Sequence, residues 1–196
     1  MTTKEAIIYE SLKLFSTNGY DAVSTRTIAR AVGASDAVIY KHFRSKKDIL
    51  DTIADICKKR YFEKRATVKL EEICWKNVEQ ICMGMFEFQT TDEWIVMFRK
   101  MLIIEQFKNN EMGYLYKKIF IDAPLESMEH MFRVLMKQGY MKEGNPRVYA
   151  MELYAPFFMY HTIDGNLLEI KNDLREHVTN FRCNVITEQC YLNEEE

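Results

Sequence analysis

Between Thr25 and Lys46 the chain gathers groups that donate to phosphate oxygens: the Thr25 and Tyr40 hydroxyls, the His42 imidazole and the Lys46 ammonium. Thr25 opens a short helical stretch, where its hydroxyl adds to free backbone N–H groups that favour an anion. A second set, Ser35, Asp36, Ala37 and Val38 with Lys41, has the chemistry of base reading. A carboxylate accepts from a cytosine amino group, and the Ala37 and Val38 side chains suit a thymine methyl. Asp36 is the discordant member, because phosphate repels it. Its alternative role is to improve a helix N-terminus through the macrodipole, worth a few tenths to about 1 kcal/mol.

Other chemistry is poorly supported. His130, His161 and His177 form no HxxxH or HExxH pair, and the five cysteines show no CxxC spacing. No nucleophile–base pair or phosphate loop is visible, so neither an enzyme nor a metal or cofactor site is expected. Reduced cysteines acting as small hydrophobes fit a reducing compartment. Residues 1–70 hold 14 Lys/Arg against 8 Asp/Glu, and residues 71–196 hold 13 against 21. A basic N-terminal third on an acidic body points to a polyanion partner for that third alone. No apolar run resembles a signal peptide or approaches the roughly 18–20 residues of a membrane helix, so a soluble, cytoplasmic protein without membrane contact is expected.

The elements that must position these groups are helical. Ile8, Leu12 and Phe15 recur at helical spacing between Thr3 and Asn18, and Gly19 ends that stretch. Ser24 caps a second short helix reaching Val32, Gly33-Ala34 makes a turn, and Ser35 starts a third helix ending near Phe43. Ser45, three residues before Asp48, starts a long helix extending to about Leu70. Further helices are expected near 71–89, 92–108, 110–121, 123–139, 146–166 and 171–190. Asp122 ahead of Pro124 and Asn145 ahead of Pro146 mark two starts, and Pro156 is expected to kink its helix. No strand alternation is evident, so the fold class is all-α.

Two short helices joined by a tight glycine turn form a helix-turn-helix, whose second helix enters the major groove. Phe15, Gly19-Tyr20, Ile28-Ala29, Gly33-x-Ser35, Ile39-Tyr40-x-His42-Phe43 and Ser45-Lys46 keep one ungapped spacing over about 45 residues. This run strongly resembles the N-terminal domain of the tetracycline-repressor (TetR) family. The resemblance implies a three-helix DNA-binding domain over 1–47, joined to a larger helical ligand-binding and dimerisation domain over 48–196. It implies backbone contacts from Thr25, Tyr40, His42 and Lys46. Asp36 and Ala37 depart from the family's frequent pattern of a basic or polar residue followed by glycine.

The same resemblance implies an inducer pocket among the C-terminal helices, where 11 of the 12 methionines and both tryptophans lie. The aromatic candidates are Trp75, Phe86, Phe98, Phe120, Phe132, Tyr154 and Phe158. Met83, Met101 and His161 complete the set, which suits an apolar or aromatic ligand. Leu174, Val178, Phe181 and Val185 stripe the last helix and are expected at a homodimer interface, presenting two reading helices to a pseudo-palindrome of double-stranded DNA. The implied function is a ligand-responsive regulator, a repressor released by its inducer. The alternative is a nucleoid-associated protein on the same fold that positions a protein partner.

Overall fold

The computed structural model describes residues 1–68, 75–163 and 166–187. These residues form helices α1 (Thr3–Asn18), α2 (Thr25–Ala31), α3 (Asp36–His42), α4 (Lys46–Ala66), α5 (Trp75–Thr91) and α6 (Glu93–Glu105). After them come α7 (Asn110–Lys117), a π-turn over Lys118–Asp122, α8 (Ala123–Lys137), α9 (Pro146–His161) and α10 (Leu167–Val185). Pairing of extended backbone among the described residues is limited to one antiparallel bridge, Met141 with Ile186. The expected single helix over 110–121 is divided at the π-turn, and the long fourth helix ends at Ala66. The start of the helix expected from 71, the end of that expected to 190, Cys74, Cys190 and the Trp75 side chain fall outside the described residues.

Local capping explains several boundaries. Thr2 accepts from the Glu5 N–H while Glu5 accepts from the Thr2 N–H, a reciprocal box at the start of α1. The Ser24 hydroxyl accepts from the Thr27 N–H at 3.0 Å. Ser45 accepts from the Asp48 N–H at 3.1 Å, and Asp48 accepts from the Arg44 N–H at 2.9 Å. Asp92 starts α6 by accepting from Ile95, and it also takes the Arg60 guanidinium of α4.

The chain divides into two compact units, Met1–Arg65 with Thr90–Lys117 and Ala66–Gln89 with Lys118–Glu196. The first is discontinuous: α6 and α7 join the N-terminal helices. In it α1 and α6 run side by side in the same direction. Tyr9, midway along α1, donates to Glu93 at the start of α6 at 2.6 Å, and the Tyr20 N–H, just past α1, reaches Glu105 at the end of α6 at 2.8 Å. Ile7, Leu12, Phe15, Ile28, Ile39 and Ile53 are fully buried there.

The second unit has its own core, drawn from α5, α8, α9 and α10. Leu174, Val178, Phe181 and Val185 belong to that core, with Leu174 at 0 % exposure. Their stripe is the inward face of α10, where burial within the unit already removes the apolar surface from water. The outward apolar stripe lies on α9 instead. Val148, Met151 and Met159 are each about half exposed, at spacings of three and eight, with exposed Ala155 filling the row between them.

Candidate nucleic-acid interface

The reading head is built outward from two buried anchors. Ile39 and Phe43, four residues apart, turn one face of α3 into the core, while Ile28 and Ala29 do the same for α2. Gly33 supplies the turn between the helices with φ 67°, a conformation costly for any residue with a Cβ. The Gly33 N–H donates to Arg30 O at 3.1 Å and the Ala34 N–H to Ala29 O at 2.9 Å, closing α2. With Ile39 held down, Asp36, Ala37, Tyr40 and Lys41 all emerge exposed on the opposite face of α3. Val38 and His42 are half-buried at its margins.

The phosphate-type donors are brought together in part. The Thr25 and Tyr40 hydroxyls are 3.4 Å apart, so the first turn of α2 meets the exposed face of α3. Tyr40 is 57 % exposed. Ser35 occupies the N-cap position of α3, at the start expected for it, but makes no side-chain capping bond. Its exposed hydroxyl is left outside the helix ladder, and Asp36 is the acidic residue of the first turn.

Lys46 has a role that sequence reasoning missed. Its ammonium donates to Tyr20 O and Val23 O, each at 2.9 Å, and lies 4.1 Å from the centroid of the Tyr20 ring. It thus ties the start of α4 to the α1–α2 turn and has one N–H beyond those two bonds. Lys47 is also engaged, by Asp51 and by Glu111 of α7. Hydrogen bonding to Asp51, then to Glu111, holds its pKa above the ordinary lysine range, so two carboxylates balance a charge that the sequence suggests for a polyanion. Lys4, 5.5 Å over the Phe43 ring, instead brings a cation to the C-terminal end of α3. The Gly19-Tyr20 pair hints at a special turn, but nothing local signals a bond to Glu105.

The pocket candidates are distributed over the two units. Phe98 and Met101 of α6 are buried in the first unit, and no described atom locates the Trp75 side chain. Met83, Phe86, Phe120, Phe132, Tyr154, Phe158 and His161 lie in the second. There His161 stacks on Phe86 with ring centroids 5.2 Å apart and meets Tyr154 edge-on at 6.3 Å. The Tyr154 hydroxyl donates to Phe120 O at 2.7 Å. Among the described residues no group of three or more His, Cys, Asp or Glu side chains is placed to hold a metal ion. No described helix is long and apolar enough to cross a membrane.

Residues 7–53 match the family described as bacterial regulatory proteins, tetR family. The N-terminal segment matches the TetR family. The chain is 39% identical over 54 residues to IcaR, the biofilm operon icaADBC HTH-type negative transcriptional regulator of Staphylococcus aureus. That stretch is 28% of this chain and spans 29% of the IcaR length. Likeness of fold extends much further. SmeT of Stenotrophomonas maltophilia, in its triclosan complex, superposes with a TM-score of 0.70 at 18% identity, covering 97% of this chain and 94% of that one. AibR, solved with isovaleryl coenzyme A and operator DNA, gives 0.63 at 20% identity, with 89% and 96% covered.

Proposed function

We propose that the chain is a homodimeric, ligand-responsive transcriptional repressor of the cytoplasm, released from a pseudo-palindromic operator by a small, largely apolar or aromatic inducer. The observation that carries the DNA-binding part is the exposed face of α3, where Asp36, Ala37, Tyr40 and Lys41 stand together above a buried Ile39–Phe43 anchor. Ser35, Asp36, Ala37, Val38 and Lys41 meet base edges in the major groove. Thr25, Tyr40 and His42 take phosphate oxygens, and Lys46 contributes the N–H beyond its two carbonyl bonds. The negative regulation named for IcaR and the operator DNA named for AibR support this assignment.

The dimer forms through the outward stripe of α9, Val148, Met151, Ala155 and Met159, with Leu168 of α10, which is 67 % exposed. Two-fold pairing would present two copies of α3 to inverted half-sites. Ligand binds among Phe86, Tyr154, Phe158 and His161, where flat rings face an imidazole that can hydrogen-bond. The triclosan named for SmeT, an aromatic phenol, supports that ligand class. Release requires the ligand to bind one arrangement of the dimer better than the other. Titrating triclosan and related phenols into the complex with a duplex selected by the chain tests this. Loss of DNA affinity at saturating ligand is expected, and an unchanged affinity across ligands that bind the chain would refute the inducer reading.

A further inference from the structure

Glu105 closes α6 and is 2 % exposed, yet it carries a carboxylate. One oxygen accepts from the Tyr20 N–H at 2.8 Å, across 85 residues of sequence, while Oε2 is buried without a hydrogen-bond partner. A half-satisfied buried carboxylate is expensive and is weak evidence for a contribution to stability. Its surroundings are nevertheless fitted to it. Gly19 has φ 81°, and a Cβ placed there would lie 2.6 Å from Glu105 Oε1 and 3.2 Å from Ile104 Cγ2. Glycine at 19 therefore provides both the turn and the room for the carboxylate.

The bonds on either side of this contact lead to the reading head. The Tyr20 carbonyl accepts from Lys46 Nζ and from the Val23 N–H, and Val23 immediately precedes the cap of α2. The Glu105 carbonyl accepts from the Lys108 and Asn109 N–H groups, each at 2.9 Å, which fixes the α6–α7 turn. One residue thus holds two turns, and the α1–α2 turn is bonded to the approach to α2 and to the start of α4. We propose that Glu105 is a positioning residue for DNA binding: its carboxylate, through the Tyr20 N–H, sets the α1–α2 turn in the geometry from which the helix-turn-helix meets DNA.

The inference rests on the DNA-binding reading, and its test separates the two. A labelled duplex selected by the wild-type chain from random-sequence DNA is bound by wild type, Glu105→Ala, Glu105→Gln and Tyr9→Phe, below the lowest melting temperature of the four. Hydrogen exchange at the Tyr20 amide is followed in parallel. Glu105→Ala is expected to bind roughly tenfold more weakly, the scale of losing one hydrogen bond to a charged acceptor, with faster Tyr20 exchange. Glu105→Gln, which keeps an acceptor oxygen, should recover both to within about threefold. Tyr9→Phe, which cuts only the link between mid-α1 and the start of α6, should leave both unchanged. If wild type binds and Glu105→Ala binds equally well, the positioning role is overturned while the DNA-binding reading stands. It is also overturned if Glu105→Gln binds as poorly as Glu105→Ala with the Tyr20 amide still protected. Should Glu105→Ala not fold, Glu105→Gln and its Tyr20 exchange decide. A wild-type chain that selects no duplex overturns both.

Discussion

Lys46→Met separates a lysine that holds the head together from one that only touches DNA. The substitution keeps the apolar stem but removes the ammonium, so Tyr20 O and Val23 O lose a donor at 2.9 Å and the Tyr20 ring loses its cation. Two bonds from a charged donor contribute about 1.5–3 kcal/mol each, and an exposed cation–π contact about 0.5–1 kcal/mol. Against this gross sum stand the lysine's rotamer entropy of about 2 kcal/mol and rehydration of two part-buried carbonyls. A net loss of about 2–3 kcal/mol is expected. Urea unfolding, followed through Trp94 in a Trp75→Phe background, reports the first unit, because Trp94 packs on Tyr9 there. With a typical m-value near 2 kcal/mol/M, the midpoint should fall by about 1 M. An unchanged midpoint, with a salt slope of DNA binding reduced by about one ion, would refute the structural role and leave Lys46 a phosphate ligand only.

Asp36→Asn should change the preferred base at one position of each half-site, by about 1–3 kcal/mol in discrimination, in a repeated selection from random DNA. A shift in stability with no shift in preference would make Asp36 a helix-end residue alone. Met151→Glu should convert the dimer to monomer by light scattering, whereas Leu174→Ala should lower unfolding stability by about 2–5 kcal/mol. A dimer that survives Met151→Glu but not Leu174→Ala would reverse the assignment of the two faces. Burial pushes the Cys57 and Cys82 thiols up to about 12 from an ordinary 9.0. Below pH 9 both states hold these protons; above it only the unfolded chain releases them, so stability falls as pH rises from about 9 toward 12. Exposed Cys183 should therefore be alkylated by iodoacetamide well before Cys57 or Cys82, as read by peptide mapping; equal labelling would contradict that burial.

The N-terminal head was legible because its information is local. A glycine at φ 67°, a serine cap on α2 and apolar residues four apart on α3 each leave a mark within one helical turn. The second unit was legible as helices but not as surfaces. A stripe such as Leu174–Val178–Phe181–Val185 has the same spacing whether it faces a core or a partner, and here it faces the core. The outward stripe on α9 contains an alanine and two methionines and interrupts a helix apolar on several sides, so periodicity alone did not distinguish it. Lys46 reads as a free cation in sequence because the two carbonyls it binds lie 23 and 26 residues away. Glu105 was invisible for the same reason at greater distance. Dividing the expected pocket also required the fold, since Phe98 and Met101 return to the first unit on α6.

Selection of bound duplexes from a random-sequence pool by the purified wild-type chain tests the central claim most directly. Two inverted half-sites with centres about one helical turn or a multiple apart, bound with an affinity that falls steeply with salt, are the expected result. Failure to enrich any sequence, or binding indifferent to salt, would contradict it.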